Sequence, residues 1–286
     1  MAEIALETVG RIHFLGGTVY GDVAITSKFQ LNFTEIHLAL KAYEKTRIRF
    51  PATHVSGEFF GGEEVSRVFS ESYLHYRNEI VLNEEGHVNS NTIRVPFSIR
   101  IPIEAPPTFR CEMARVEYTL EARVISPHAP DHTAMIPLIV RDAVGQINSN
   151  PIIRQEDWLT LMLDSDSFCI EQPLRGKIMI PSIAGVDGVD FEIILTEEAM
   201  ADNQSREMSY PVVIGHLVKE DITKETWIGF EFDIERNVQP SISGKLFSAS
   251  YDLKAILRKR LGIDRSLTIP IRIVHCQTSS NQDVAF

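Results

Sequence analysis

The sequence predicts an all-β protein built as two tandem β-sandwiches, residues 1–147 and 148–286. Three observations carry this: short runs of alternating apolar and polar residues, turn residues between them, and one pattern that recurs at a constant spacing. The alternation is plainest in RVPFSIRI at 94–101. Phe97, Ile99 and Ile101 share one face of an extended chain, and Ser98 and Arg100 take the other.

In chain order, the first half offers strands over Val19–Thr26, Thr34–Tyr43, Arg94–Ile101 and Cys111–Ile125. The last of these slips by one residue near Ala114–Arg115, which suits a bulge. The second half offers Phe168–Ile180, Val189–Thr196, Trp227–Ile234, Lys245–Leu257 and Ser266–Val274. Gly16-Gly17, Gly61-Gly62, Pro106-Pro107, Asp187-Gly188 and Gly262 supply the turns between runs. No long amphipathic helix is present, and Glu197–Ser205 reads as one short helical turn. Many short strands at regular spacing imply sandwiches, and 286 residues suit two of them.

The repeat fixes the division. At an offset of 133 residues, Phe97 meets Phe230, Ile99 meets Phe232, Ile101 meets Ile234, Pro107 meets Pro240 and Thr108 meets Ser241. Farther on, Tyr118 meets Tyr251, Leu120 meets Leu253, Ala122 meets Ala255, and Ile136-Pro137-Leu138 meets Ile269-Pro270-Ile271. Amphipathic strands match faces by chance, but not prolines and tyrosines at one offset. The polar stretch GQINSN at 145–150 suits the linker.

Composition excludes several classes. Hydrophobic residues are 44% and charged residues 23%, an ordinary globular balance. No apolar run approaches a membrane span, and the start lacks the basic and apolar regions of a signal peptide, so a cytoplasmic protein is expected. Cys111, Cys169 and Cys276 are too few for a disulfide scaffold; Cys111 and Cys169 are expected to pack as small apolar groups. With 28 basic and 39 acidic residues the net charge is −11, which argues against nucleic acid as a partner. The acidity is uneven. Residues 244–272 hold seven basic and two acidic residues, a local +5.

VPFSIRIPIEAPPTF followed by RVEYTLEARV resembles the arrestin amino-terminal signature, and VYGDVAI resembles the early strand of that domain. FCIEQPLRGKIMI, VDFEIILTEE, YPVVIG and FEFDI resemble the arrestin-like subunit of the retromer and retriever endosomal sorting complexes. The resemblance implies two arrestin-type, immunoglobulin-like sandwiches. It also implies a non-enzymatic adaptor in protein transport, docked on a helical-solenoid subunit, with cargo tails or sorting adaptors as further partners. Peripheral association with endosome-like membranes would come through that complex. No PPxY sequence occurs, so ubiquitin-ligase recruitment of the alpha-arrestin kind is not implied.

Among binding surfaces, the basic hairpin is the leading candidate. Lys254, Arg258, Lys259 and Arg260 precede Leu261-Gly262, and Arg265 follows. Like charges at one tip do nothing for folding; they would steer an acidic partner or anionic lipid. In the resembled subunits, loops of the second sandwich meet the solenoid. Matching positions here are Val238, Gln239, Ser241 and Ile242 at the Pro240 corner, with Arg258, Lys259, Arg260 and Arg265 at the hairpin. Val238 and Ile242 are expected as apolar anchors. Phe59 and Phe60, within VSGEFFGGEEV, form a secondary candidate surface, or pack over a sandwich edge.

Chemistry is weakly signalled. No GxSxG, HExxH or CxxC occurs, and no cofactor or metal is expected. His128, Asp131 and His132 leave open a metal-dependent sandwich enzyme. A second alternative is an arrestin-domain regulator that engages receptors or acts in a sporulation-control-like pathway.

Overall fold

The computed structural model describes residues 2–50, 66–89, 91–127, 130–142, 151–170, 172–234 and 238–275. The chain forms two compact units. The first is Met1–Ala143 with Met200–Gln204 and Gly244–Leu246; the second is Val144–Ala199, Ser205–Ser243 and Phe247–Phe286.

The first unit contains β1 (Ala2–Thr8), β2 (Ile12–Phe14), β3 (Thr18–Ser27), β4 (Leu31–Phe33), β5 (Glu35–Phe50), β6 (Arg67–Asn83), β7 (Gly86–Val88), β8 (Thr92–Arg100), β9 (Phe109–Arg110), β10 (Ala114–Ile125) and β11 (His132–Arg141). One sheet runs β1-β3-β8. The other runs β2-β11-β10-β5-β6, with β9 on β10, and β4 and β7 form a small ribbon.

The second unit contains β12 (Ile152–Gln155), β13 (Thr160–Leu163), β14 (Ser167–Cys169), β15 (Pro173–Met179), β16 (Val186–Ala201), β17 (Gln204–Val218), β18 (Ile228–Asp233), β19 (Ile242–Ser243), β20 (Phe247–Lys259) and β21 (Arg265–Val274). Its sheets run β12-β13-β15-β18 and β14-β21-β20-β16-β17, with β19 on β20. The larger sheets correspond strand for strand. Even the parallel pair recurs: Ile139 opposes Ile12 in β11–β2, and Arg272 opposes Ser167 in β21–β14.

Alternation explains the cores. Val116, Tyr118, Leu120, Ala122 and Val124 of β10 are buried, as are Tyr251, Leu253, Ala255 and Leu257 of β20. In the second unit Phe191 meets Phe230 and Phe232 with ring centroids 4.4 and 5.0 Å apart. Phe97 and Phe230 each lie against a glycine in register, Gly21 and Gly176. A Cβ on Gly21 would stand 2.7 Å from Phe97 Cζ, and one on Gly176 2.5 Å from Phe230 Cζ. Only hydrogen fits there.

Both corners are held alike. Tyr118 Oη donates to the Pro106 carbonyl at 2.8 Å, and Tyr251 Oη donates to the Gln239 carbonyl at 2.7 Å. Thr108 N–H donates to Val140 O at 2.8 Å, while Thr108 Oγ1 accepts from Val140 N–H at 2.9 Å. Ser241 repeats both bonds with Ile273, at 2.7 and 2.9 Å. Burial pushes the Tyr118 phenol far above its ordinary value, so the hydroxyl stays a donor.

Glu44 and His13 are among the polar residues buried in the first unit. Glu44, 1% exposed, accepts the N–H groups of Lys245 and Leu246 at 2.8 and 3.0 Å, with His75 Nε2 2.6 Å from Oε2. These bonds make the buried carboxylate tolerable. A Cβ on Gly244 would come within 2.3 Å of Glu44 Oε1. His13 is buried on β2 with Nε2 lacking a hydrogen-bond partner among the described residues.

Sequence expectation and structure part at Glu197–Ser205. No helical turn forms there; β16 runs into β17 through Asp202 and Asn203, with φ of 52° and 62°. Short polar residues tolerate that left-handed conformation and close a hairpin.

Two outcomes follow for stability. Tyr118→Phe leaves a buried carbonyl without its donor and should cost about 1–3 kcal/mol in urea unfolding at an unchanged m-value. Tyr251→Phe should fall at the low end of that range, because its bond is only partly buried. His13 responds to pH. Burial holds its imidazole below the ordinary 6.5, so the unfolded chain binds the proton more readily and stability falls as pH drops through that value. His37 works the other way: hydrogen bonds to Glu35 and then Glu79 raise its pKa, and its contribution is lost as pH rises through the raised value. His13→Leu should therefore lessen the fall in melting temperature between about pH 7.5 and about pH 5.5.

Candidate functional site

The β20–β21 hairpin ends in a turn whose backbone is held by one carboxylate. Asp264 Oδ1 accepts the Lys259 N–H at 2.9 Å, and Oδ2 accepts Arg258 Nη1 at 2.8 Å. Arg258 Nε also donates to Asp190 of β16, whose other oxygen meets His216 Nδ1 of β17. Arg260 N–H donates to Gly185 O at 2.9 Å. Gly262, at φ +124°, supplies a conformation that side chains rarely adopt.

These contacts set the charges. The Lys259 N–H, and then the Arg258 side chain, hold the Asp264 carboxyl below its ordinary value. Asp264 and Asp190 raise Arg258 further. Burial alone would raise Asp190, but the hydrogen bonds from Arg258 and His216 outweigh it and leave the carboxyl lowered. Arg258 is thus a structural cation, half-exposed and tied to two carboxylates. Lys259 and Arg260 make no side-chain ion pair among the described residues, and Arg265 approaches Asp157 only at 3.6 Å.

The apolar part of this tip is Leu261 and Ile263, 89% and 88% exposed. They stand on either side of Gly262, with Lys259 and Arg260 before them and Arg265 after them in the chain. The first unit provides a comparison within the same chain. At the positions 133 residues earlier stand Ile125 for Arg258, Ser126 for Lys259, Pro127 for Arg260, Asp131 for Asp264 and His132 for Arg265. The aspartate is common to both hairpins, and Asp131 pairs with Arg123. The cations and the exposed aliphatics belong to the second unit alone, so the fold does not require them.

The Pro240 corner lies elsewhere. It pairs with the start of β20, Ile242 opposite Ala249, whereas the tip follows Lys259 at the other end. About ten residues of strand, ~33 Å, separate them. The corner is also closed. Val238 and Ile242 are 5% and 7% exposed, so neither offers the apolar anchor expected of it; both pack inward against the sandwich. The Gln239 carbonyl and both polar groups of Ser241 are engaged by Tyr251 and Ile273.

Phe59 and Phe60, and the 145–150 stretch, lie outside the described residues, as does His128. Asp131 is engaged by Arg123, and among the described residues no group of three His, Cys, Asp or Glu side chains could hold a metal. Cys169 is buried as expected, but it is disulfide-bonded and not a thiol. Cys111 Sγ accepts the Ala114 N–H at 3.2 Å in a turn. Leu261, Ile263, Asp264 and Asp190 were not among the expected site residues. An aliphatic pair flanking a turn glycine is the signal that marks the first two.

Residues 2–143 match the family described as arrestin (or S-antigen), N-terminal domain. A search of curated proteins found no match to the chain. With the strand order repeated in its second half, the protein has the arrestin-type β-sandwich fold, and residues 2–143 are similar to the arrestin N-terminal domain.

Proposed function

We propose that the protein is a non-enzymatic adaptor of the retromer type, and that it captures a helical-solenoid partner through the β20–β21 tip. An arrestin domain supports an adaptor or scaffold. The likeness of the second half to the arrestin-like subunit of the sorting complexes supports the solenoid partner. The single observation that carries the site is the exposure of Leu261 and Ile263 on a turn flanked in sequence by Lys259, Arg260 and Arg265. Two aliphatic side chains have no folding role at a solvated tip. Buried in a partner's groove, each would contribute about 1.5–3 kcal/mol. Lys259, Arg260 and Arg265 would face an acidic rim, which favours encounter and orientation more than affinity. No helix among the described residues is long and apolar enough to cross a membrane, so membrane recruitment in this reading comes through the partner.

Affinity purification of the full chain from its native cell tests the reading. A helical-solenoid subunit should co-purify, and Leu261→Asp or Ile263→Asp should weaken its capture at least about tenfold at an unchanged melting temperature. Lys259→Glu with Arg260→Glu should weaken it most at low salt. Arg258→Glu should behave differently and lower the melting temperature, because Asp190 and Asp264 lose their cation. Capture that survives both aspartate substitutions would place the interface elsewhere.

A further inference from the structure

The first unit carries a cavity of about 520 Å³ formed by β5, β6 and the β9–β10 turn. Across its floor, Arg110 opposes Arg115, Arg115 opposes Lys45, and Lys45 opposes Ser72. Directly opposed residues project to one side of a sheet, so three cations stand in a row. Arg47 lies two residues along β5 from Lys45, on the same face and opposite Ser70. Like charges placed so closely destabilise a sheet, and neutralisation is incomplete. Glu117 accepts Lys45 Nζ at 2.8 Å and lies 3.2 Å from Arg115 Nε. Arg47 and Arg110 make no side-chain ion pair among the described residues. Glu71 and Glu112 also line the cavity, and Glu71 already accepts the Asp202 N–H at 3.0 Å.

The second unit again serves as comparison. Its corresponding row is Ser243 opposite Ser248 opposite Glu198. One sandwich folds with two hydroxyls and a carboxylate where the other has three cations. The cation row is therefore not a demand of the architecture.

We infer that this cavity binds a small phosphorylated molecule or oligophosphate. Arg47 and Arg110 would form the principal contacts, and Arg115, Lys45, Ser70 and Ser72 would be further donors. Guanidinium forks match phosphate oxygens, and the four cations Lys45, Arg47, Arg110 and Arg115 outnumber the three carboxylates Glu71, Glu112 and Glu117, which leaves the site net positive for a phosphate group. The volume lies in the range of small-ligand pockets, about 300–1,000 Å³, and favours a compact ligand over an extended peptide. Free oligophosphate and phosphate esters share the chemistry, and separate titrations distinguish them.

The test is calorimetric titration of the full chain with pyrophosphate and with a nucleoside diphosphate at about 0.15 M salt. Saturable one-site binding by at least one is expected, weakened at least about tenfold by Arg47→Ala with Arg110→Ala while the melting temperature holds. Glu112→Gln should tighten it. Cys111 lines the cavity and is partly exposed, so a saturating ligand should slow its modification by a neutral maleimide, located by mass spectrometry. Binding untouched by the double substitution, or with Cys111 unprotected, would overturn the assignment. So would failure of both ligands to saturate by about 10 mM. A phosphopeptide that binds where neither small ligand does would also overturn it, since it would make the site a peptide surface.

Discussion

Each sandwich depends on the corner where its two prolines recur, Pro107 and Pro240. Proline has no N–H to give a ladder and restricts the residue before it; Pro106 and Gln239 lie outside the strands, so their carbonyls have no ladder partner. Tyr118 and Tyr251 supply the missing donor from the buried face of β10 and β20. The next residue, Thr108 or Ser241, then fastens to the last strand through backbone and hydroxyl together. One side chain thereby ties the corner to the sheet, and the corner leads the chain from one sheet into the other. At Tyr118, burial pushes the phenol far above its ordinary value, so that hydroxyl stays a donor.

What the two units share beyond the corner is close packing: Gly21 under Phe97 and Gly176 under Phe230. They also share a buried glutamate. Glu44 opposes Val116 and Glu197 opposes Ala249, positions equivalent under the repeat, and both are nearly inaccessible. The partners differ, backbone N–H groups and His75 for one and the Tyr210 hydroxyl for the other. A buried carboxylate without partners would be far costlier, and each of the two is given donors, Glu44 from residues about 200 positions away and Glu197 from Tyr210. Residues common to both copies answer to the fold, and residues present in only one copy call for another reason.

The fold was legible because its determinants are periodic and repeated. Alternation marks β8, β10, β18 and β20, and the constant offset marks the corners. β6 was not legible. It spans Arg67–Asn83 as an edge strand whose side chains are mostly exposed, so it carries no alternation to detect. Glu197–Ser205 misled because its residues suit a helix locally, while the hairpin is closed by Asp202 and Asn203. Half of the candidate site was legible: the basic residues of the tip stand out in an acidic chain. The corner residues Val238 and Ile242 did not turn out as anchors, since an apolar residue beside a proline reads alike whether it points inward or outward. Leu261 and Ile263 look like any strand-end aliphatics until their exposure is known. The Arg258–Asp190 pair spans 68 residues of chain, a separation that no local pattern reveals.

The net charge of −11 gives both basic clusters a setting that their own residues do not describe. At low ionic strength the field of the whole chain opposes an approaching anion, whereas beyond about 10 Å at physiological salt that field is screened. Short-range contacts at Arg47 and Arg110 are screened much less. Added salt therefore removes long-range repulsion before it removes the contact attraction, and the cavity can select for charge density over total charge. The tip faces the opposite balance. Its cations project from a hairpin with Asp264 and Asp190 holding Arg258, so only Lys259, Arg260 and Arg265 contribute to an outward field. Three cations on an acidic protein steer weakly. In the proposed docking, the aliphatic pair would then supply most of the affinity at that surface, and the charges its orientation.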